Sequence, residues 1–234
     1  MRAPSVLGMD TALITGASRG LGLALARELA RRSWRLVIDA RGPDALEAAR
    51  VELAGLTEVV AIPGDVADPS HRRALVEAAG PQIDLLVNNA SVLGPSPQPR
   101  LADYPLDVLE QVYRVNVLAP LGLVQSALGA LRPGACVINV TSDAAVEAYE
   151  GWGGYGSAKA ALEQVTRVLA AEHPELRIVA VDPGDMNTQM HQEAFPGEDI
   201  SDRPPPEASV PGLLAIVYGD APSGRYQAAA VAPA

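Results

Sequence analysis

Tyr155 and Lys159 lie four residues apart in the stretch GYGSAKAALEQV, and Lys159 is the only lysine of the chain. In a helix this spacing places both side chains on one face, one turn apart. A phenol can act as a general acid or base, and an ammonium held beside it lowers the pKa of that phenol. The pair predicts proton transfer with a bound small molecule, and chance placement of the single lysine is the alternative.

A glycine-rich turn with Gly16, Gly20 and Gly22, in the stretch TGASRGLG, leads directly into a helical segment. Glycines let the backbone approach a pyrophosphate, whose charge the amides and positive dipole end of the following helix can hold. The spacing is G-x-x-x-G-x-G and differs from the G-x-G-x-x-G of the standard dinucleotide fingerprint. The turn predicts a phosphate site, although such turns also occur for steric reasons.

The bulk composition limits the possible partners. The 234 residues carry a formal net charge of -10, from 28 acidic against 18 basic residues. This balance argues against a nucleic-acid surface or a polybasic membrane patch and favours a small-molecule ligand. Cys136, the only cysteine, lies in the apolar run ACVINV. A single cysteine excludes an intrachain disulfide and a cysteine-cluster metal site, so we expect no bound metal. We expect the thiol of Cys136 to be buried and inert.

The location of the protein is predicted from the absence of long apolar segments. The first ten residues contain no apolar run of signal-peptide length, and no later stretch reaches the roughly 18 apolar residues of a membrane helix. We therefore expect a soluble, cytoplasmic protein.

The elements that must position these residues alternate along the chain. Short apolar runs predict strands at 12–15, 35–39, 58–62, 83–88, 136–140 and 177–181, with a last strand near GRYQAA. Helical periodicity fills 22–32, 43–55, 69–80, roughly 106–131, 155–173 and about 207–218. Strands that are apolar throughout belong to parallel sheets covered on both faces. The pattern predicts an α/β fold, doubly wound and Rossmann-like, with a mostly parallel sheet between two layers of helices.

The chain is expected to form a single domain over residues 9–234, preceded by a flexible lead-in at 1–8. After residue 182 the pattern loosens, and three consecutive prolines in DISDRPPPEASVPG exclude a helix interior there. A long loop in a compact domain is usually functional or disordered. We therefore predict a substrate loop at about 184–210.

Several of these motifs together resemble the short-chain dehydrogenase/reductase family over nearly the whole chain. The matching segments are the cofactor turn TGASRGLG, GDV at 64–66, NNA at 88–90 and DPG at 182–184. The resemblance implies a catalytic tetrad of Asn116, Ser142, Tyr155 and Lys159, with Ser142 thirteen residues before the tyrosine. One departure is Ser91, which follows NNA where the family usually has glycine; the other is a short, proline-rich C-terminal region.

The resemblance also implies which residues contact a dinucleotide cofactor. They are Gly16, Ser18, Arg19, Gly20, Leu21, Gly22, Arg41, Asp65, Val66, Asn89, Ala90, Tyr155, Lys159, Pro183, Gly184 and Thr188. Asp65 would contact the adenine, and the segment from Pro183 to Thr188 the nicotinamide. Lys159 would hydrogen-bond the nicotinamide ribose.

The resemblance gives the remaining tetrad members their roles. Ser142 would donate a hydrogen bond to the substrate oxygen, and Asn116 would help to hold a water that relays protons. Each has a structural alternative: Ser142 as the cap of a turn, Asn116 bonding the backbone of its own helix, and Tyr155 as a packing residue.

The choice of cofactor depends on the end of the second strand. Enzymes that prefer NAD carry an acidic residue there for the ribose 2′-hydroxyl, and that position is Ala40. Arg19 and Arg41 are placed to clamp a 2′-phosphate, so we predict NADP(H) rather than NAD(H). Asp39 is the counterargument, because a shift of one residue would bring its carboxylate against that phosphate. Solvated surface charge is the alternative role for both arginines.

The remaining polar and aromatic residues are less informative. His71 and His173 lie at the ends of predicted helices, where solvated or dipole-complementing roles are expected. Only His191 lies near the presumed pocket, and we assign it no catalytic role. Tyr149, Trp152, Met186 and Met190 are candidates for the substrate cleft, with core packing as the alternative.

The sequence as a whole predicts an NADP(H)-dependent oxidoreductase that interconverts a carbonyl and an alcohol of a small molecule. A catalytically silent nucleotide-binding regulator and a sugar-nucleotide epimerase or dehydratase are the alternatives. The small apolar residues of the helices at about 106–131 and 155–172 also predict a homodimer or homotetramer.

Overall fold

A computed structural model describes residues 9–231 of the chain. Its centre is one seven-stranded sheet in the order β3-β2-β1-β4-β5-β6-β7, with every neighbouring pair parallel. The strands are β1 Thr11–Ile14, β2 Arg35–Ala40, β3 Val59–Pro63, β4 Ile83–Asn88, β5 Leu131–Val140, β6 Arg177–Asp182 and β7 Gly224–Gln227. The expected lead-in at 1–8 and the last three residues lie outside the described part.

Helices cover both faces of this sheet. They are α1 Gly20–Arg31, α2 Pro43–Ala54, α3 Pro69–Ala79, α4 Leu106–Tyr113, α5 Ala119–Ala127, α6 Gly153–Glu172, α7 Gln189–Ala194 and α8 Val210–Tyr218. On one face Ile14 of β1 packs among apolar side chains of α1, α2 and α8. On the other face Leu13 packs among those of α3, α5 and α6. Adjacent residues of one strand thus pack into two different cores, which explains why both faces of the strands carry apolar side chains. This arrangement confirms the predicted fold class.

The predicted helix at about 106–131 is wrong in two respects. A π-helical turn, Arg114–Leu118, separates α4 from α5, and the helix ends at Ala127. Leu131 already belongs to β5, which pairs it with Ile83 before a register shift. Pro133 and Gly134 hid this first half of β5, because both are depleted in strand interiors.

The segment after β6 contains more regular structure than its sequence indicates. Thr188 caps the short helix α7 by accepting a hydrogen bond from the His191 amide. A 3-10 turn, Pro206–Ser209, then leads into α8, so the helix predicted at 207–218 begins at Val210 instead.

The sheet topology determines where a ligand can bind. From β1 the chain moves outward to β2 and β3, and then returns to pair β4 with the other side of β1. Connections that leave in opposite directions open a crevice at the carboxyl ends of β1 and β4. The glycine turn follows β1, Asn89 follows β4 and Ser142 lies two residues after β5, so the fold gathers these motifs at one edge.

Candidate active site

A cavity of about 1490 Å³ opens at this edge and collects nearly all of the predicted site residues. Ser142, Tyr155 and Lys159 of the predicted tetrad line it. So do the predicted cofactor contacts Gly16, Ser18, Arg19, Gly20, Leu21, Arg41, Asp65, Val66, Asn89, Ala90, Pro183, Gly184 and Thr188. Gly22 and Asn116 lie behind the cavity wall.

The glycine turn is held by hydrogen bonds from beneath. Gly16 has a φ of +66°, and its amide donates to Asp39 Oδ1 at 2.8 Å. Asn89 Nδ2 donates to the carbonyls of Thr15 and Gly16 at 2.9 and 3.1 Å. A Cβ added at Gly22 would lie 2.6 Å from both Asn89 Nδ2 and the Gly16 carbonyl oxygen. Gly22 therefore permits close packing of helix and loop rather than ligand contact.

The N-terminus of α1 faces the cavity with the chemistry that a pyrophosphate needs. The helix begins at Gly20. Its N-cap residue, Arg19, makes no side-chain capping hydrogen bond, and the first turn contains no acidic residue. Its first amides are thus not committed to a carboxylate cap, and the helix dipole favours an anion there. The residues present fit a dinucleotide phosphate.

Asp39 and His71 form a buried pair that the sequence does not reveal. The Asp39 carboxylate is 1% exposed and lies 3.0 Å from His71 Nε2. Burial raises the pKa of Asp39, while the hydrogen bonds with His71 and Gly16 oppose this rise. The expectation of a solvated or dipole-complementing role for His71 is wrong, because its ring turns inward from α3 beneath Gly64.

Asp39, Arg19 and Arg41 all line the cavity, but Asp39 is buried and both arginines are exposed. Arg41 is exposed at the rim, while Arg19 donates a hydrogen bond to the Gln189 side chain of α7. Asp65 is also exposed, and its Oδ1 accepts from the Ala67 amide at 2.8 Å. The Asp39 carboxylate is hydrogen-bonded to the Gly16 amide and His71, so the exposed charge at the end of β2 is that of Arg41.

Tyr155 and Lys159 meet on one face of α6, as their spacing predicts. Lys159 Nζ lies 5.4 Å from the centroid of the Tyr155 ring and donates to the Val140 carbonyl at 2.8 Å. Burial lowers the pKa of Lys159 to about 8. Burial also raises the pKa of Tyr155, and the lowering that we expected from Lys159 is not found, because the loss of solvation is the largest cause.

Ser142 both caps a turn and faces the cavity. Its Oγ accepts from the Ala144 amide at 3.2 Å and donates to Asp143 Oδ1 at 2.8 Å. Tyr149 donates to the other oxygen of the Asp143 carboxylate at 3.0 Å. The capping alternative is therefore realised together with cavity lining, and the Ser142 hydroxyl hydrogen is directed at a carboxylate.

Asn116 lies in the π-helical turn and is almost fully buried. Its Nδ2 donates to the Val92 carbonyl at 2.8 Å, and its Oδ1 accepts from the Val92 amide at 2.9 Å and from Ser91 Oγ at 3.1 Å. The side chain thus holds the loop after β4 instead of bonding the backbone of its own helix.

Aromatic side chains form the outer wall of the cavity. Trp152 packs edge-on against Tyr155 with ring centroids 5.9 Å apart, and Phe195 tilts over Trp152 at 5.8 Å. His191 lies 4.9 Å from Phe195, and its Nε2 is buried without a hydrogen-bond partner among the described residues. Tyr149, Met186 and Met190 also line the cavity, whereas His173 is half-buried, does not line it and contacts Glu175.

Arg225 of β7 is a site-supporting residue that sequence reasoning missed. Its guanidinium contacts Glu163 Oε1 at 2.9 Å, Asp182 Oδ2 at 3.2 Å and the Ser142 carbonyl at 3.3 Å. These partners come from α6, β6 and the loop after β5, and no local pattern connects them. Ser91, which stands where the family usually has glycine, was the one sequence departure that indicated a contact of its own in this site, and its hydroxyl bonds Asn116.

Residues 9–231 contain neither a metal-binding cluster nor a membrane-spanning helix. No cluster of three or more His, Cys, Asp or Glu side chains in residues 9–231 is arranged to hold a metal ion. None of the helices described here has both the length and the apolar character needed to cross a membrane.

Comparisons with known proteins agree with this geometry. The family profile described as short chain dehydrogenase matches residues 10–199. The chain is 36% identical to sepiapterin reductase from Bos taurus over 209 residues, which cover 80% of this chain and 77% of the relative. It is 35% identical to the rhamnolipids biosynthesis 3-oxoacyl-[acyl-carrier-protein] reductase of Pseudomonas aeruginosa, over 76% of this chain and 73% of that one.

A solved structure extends the likeness to three dimensions. The alcohol dehydrogenase from the archaeon Thermococcus sibiricus, complexed with 5-hydroxy-NADP, superposes with a TM-score of 0.85. It is 27% identical in sequence, over 94% of this chain and 96% of that chain. With the sheet order, the glycine turn and the Tyr155–Lys159 pair in place, the chain belongs to the short chain dehydrogenase family.

Proposed function

We propose that this protein is an NADP(H)-dependent oxidoreductase that interconverts a carbonyl and an alcohol of a small molecule, with Tyr155 as general acid and base. One observation carries the proposal. Tyr155 and Lys159 lie side by side, buried, in the wall of the cavity that also receives the glycine turn and the N-terminus of α1.

Carbonyl reduction requires a hydride on carbon and a proton on oxygen, and a nicotinamide cofactor supplies the hydride when bound. Tyr155 supplies the proton. An unperturbed phenol is already protonated at neutral pH, the state that an acid needs, and burial raises the pKa of Tyr155 further. Lys159 holds its amine behind the phenol, where it can hydrogen-bond the ribose and favour the phenolate left after transfer.

Ser142 supplies the donor for the carbonyl oxygen. Its hydrogen is directed at Asp143, and rotation about the Cβ–Oγ bond would redirect it into the cavity. A donor aimed at developing negative charge is worth most where water is excluded. The buried Asn116 holds the loop after β4, which also lines the cavity, in place through Val92.

The preference for NADP(H) is assigned to Arg41, supported by Arg19. A guanidinium at the end of β2 suits a 2′-phosphate. Asp39, the residue that would oppose this ligand, has its carboxylate bound by the Gly16 amide and His71. The structural relative complexed with 5-hydroxy-NADP supports the same choice.

Thermal shifts with NADPH and NADH at equal concentration test the cofactor. A ligand at 100 times its dissociation constant stabilises a fold by roughly 2.7 kcal/mol, so the preferred cofactor should give the larger shift. Arg41→Ala should reduce the NADPH shift to that of NADH. An equal or larger shift with NADH in the wild type would contradict the assignment.

The substrate is assigned to the cleft between Tyr155 and the aromatic wall, with residues 184–210 as the substrate loop of a single domain. Sepiapterin reductase and 3-oxoacyl-[acyl-carrier-protein] reductase, the activities named for two relatives, support a ketone substrate. The activity is tested with a panel of carbonyl compounds that includes cyclic and open-chain β-dicarbonyl ketones. The loss of NADPH absorbance measures the turnover of each compound. Tyr155→Phe should abolish any turnover found, and turnover retained in that variant would contradict the mechanism.

The two alternatives have less support. A nucleotide-binding regulator does not need Ser142, Tyr155 and Lys159 directed into one cavity. The relatives named as sepiapterin reductase and 3-oxoacyl-[acyl-carrier-protein] reductase favour a reductase over a sugar-nucleotide epimerase or dehydratase.

We also propose a homodimer or homotetramer in the cytoplasm. Leu106, Leu118 and Val168 on the α4–α6 surface are exposed by 76%, 57% and 44%. Paired helices would cover these side chains and gain the free energy of apolar burial. Sedimentation at micromolar concentration should give at least a dimer, and a monomer there would contradict the assembly.

A further inference from the structure

Glu163 lies four residues after Lys159 on α6 and continues the helix face that carries Tyr155. It is 3% exposed, and its Oε1 accepts from Thr141 Oγ1 and from Arg225 Nε, each at 2.9 Å. Thr141 is the first residue after β5. The face that presents the Tyr155–Lys159 pair therefore also holds the end of β5, one helical turn further on.

The Arg225 guanidinium connects Glu163 to the loops that follow β5 and β6. Its Nη2 donates to the Ser142 carbonyl at 3.3 Å and to Asp182 Oδ2 at 3.2 Å. The other carboxylate oxygen of Asp182, Oδ1, accepts from the Gly184 amide at 3.0 Å. One side chain of β7 thus holds both the segment that carries Ser142 and the segment expected to contact the nicotinamide.

Two buried carboxylates share the one guanidinium of this network. The side chains of Glu163 and Asp182 are 3% and 5% exposed. Buried charges lose their hydration, and apolar side chains in place of such a pair are often no less stabilising. An apolar side chain cannot provide a planar set of N–H donors with fixed directions. Arg225 does not line the cavity, so it can influence chemistry there only through the residues that it holds.

We propose that Arg225 is a positioning residue, which fixes Ser142 relative to Tyr155 and holds the turn at Gly184. One end of this connection is α6, which carries both Tyr155 and Glu163, and the other is the Arg225 bond to the Ser142 carbonyl. The inference rests on the proposed function for its effect on turnover, whereas the hold on the two loops can be tested without a substrate.

The first test is Arg225→Lys, which keeps the positive charge between the two carboxylates. An ammonium is a single nitrogen on a flexible stem, so it cannot hold Glu163, Asp182 and the Ser142 carbonyl in fixed directions at once. We expect kcat for carbonyl reduction to fall about tenfold or more, because a small displacement of a reacting group is costly. KM and the Kd for NADPH should stay near their wild-type values, since the network does not touch the glycine turn.

Arg177→Lys is the matched control. Arg177 is the first residue of β6, at the opposite edge of the sheet, and it does not line the cavity. It also makes three hydrogen bonds, at 2.8, 2.9 and 2.9 Å, to the carbonyls of Ile216, Val217 and Gly219. The same exchange there should leave kcat and KM unchanged.

A second variant separates positioning from stability. Glu163→Leu combined with Arg225→Met replaces the ion pair by apolar side chains, which can restore stability but not the hydrogen bonds. Its kcat should fall at least as far as that of Arg225→Lys, at a temperature where thermal melting shows both variants to be folded.

Amide hydrogen exchange tests the hold on the loops in the absence of substrate. Peptides that cover residues 141–146 and 182–188 should exchange faster in Arg225→Lys than in the wild type or in Arg177→Lys. The Gly184 amide is the most direct reporter, because it donates to the carboxylate that Arg225 holds.

The inference is overturned if Arg225→Lys keeps the wild-type kcat, if Arg177→Lys loses as much, or if the exchange of the two peptides is unchanged. Wild-type kcat in the double variant would also overturn it, by assigning the network to stability alone. If the carbonyl panel gives no turnover in the wild type but the peptides exchange faster as expected, the proposed function fails and the positioning role of Arg225 stands.

Discussion

The two ends of the cavity are built differently. At the cofactor end, a buried and a half-buried side chain bind the backbone of the glycine turn: Asp39 accepts from Gly16, and Asn89 donates to two of its carbonyls. At the end that we propose receives the substrate, α7 has six residues and none of them is buried. Its side-chain bonds, such as Gln189 to Glu193 at 2.8 Å, join exposed groups.

The difference indicates what each end is required to do. A nucleotide cofactor presents the same phosphates at every turnover, so a backbone cradle held from below suits it. A segment with few buried contacts opens at low free-energy cost and can adapt to or admit a substrate. Tyr155 and Lys159 lie at the junction, on a long helix that belongs to the core. The following predictions test this contrast.

The largest effect is expected at the junction. Lys159→Arg places a wider guanidinium where a slim amine is 2% exposed beside the phenol. Both the ribose contact and the support of the phenolate should suffer, so turnover should fall on the order of 100-fold or more. Carbonyl reduction is measured by NADPH absorbance under saturating conditions.

Arg167→Lys on the exposed side of the same helix is the matched control for the reverse exchange, and it should be neutral. Wild-type turnover in Lys159→Arg would mean that the position of the single lysine is accidental.

The second prediction compares the two ends directly. Asp39→Ala leaves the Gly16 amide and His71 without their buried partner, which should cost about 2 kcal/mol of unfolding free energy. Glu193→Ala removes an exposed hydrogen bond and should stay within about 0.5 kcal/mol. Urea denaturation of both variants measures the difference, and equal losses would remove the contrast between the ends.

The third prediction concerns the burial of Lys159. The pKa of its amine is about 8 in the folded protein against 10.5 for an unperturbed lysine. Between these values the folded protein has released a proton that the unfolded chain still binds, so stability rises with pH there. From pH 8 to 9 this group should add about 1 kcal/mol of unfolding free energy.

Lys159→Met has no amine to titrate, so the stability difference between it and the wild type should change by that amount over the same pH interval. Denaturation at pH 8 and pH 9 measures this change. A difference that does not vary with pH would show that the amine titrates as if it were exposed.

The smallest effect is expected at the substrate end. Phe195→Ala removes one ring from the aromatic wall beside Trp152. Aromatic pairs contribute about 0.5–1.5 kcal/mol, so KM for the carbonyl should rise roughly threefold or more, while the affinity for NADPH stays unchanged. Loss of cofactor affinity in this variant would show that the two ends are coupled.

The strand positions were predicted closely because buried parallel strands appear in the sequence as short apolar runs. β2, β4 and β6 lie within one residue of their predicted bounds, since the middle of each is an apolar run: LVI, LLV and IVAV. The helix at 106–131 was read too long, because a π-helical turn keeps the apolar spacing of its neighbours. The irregular first half of β5 has no apolar run, so only its pairing with β4 identifies it.

The sequence by itself determined the functional groups that are close together along the chain. The glycine turn and the spacing of Tyr155 and Lys159 each lie within one element, so local geometry carries them into the structure. The tertiary structure alone decided the contacts between Asp39 and His71, between Ser91 and Asn116, and between Arg225 and Ser142, whose partners are 32, 25 and 83 residues apart. It also decided the pKa values, because the same burial that raises the pKa of Tyr155 lowers that of Lys159, and burial depends on which elements pack over a residue.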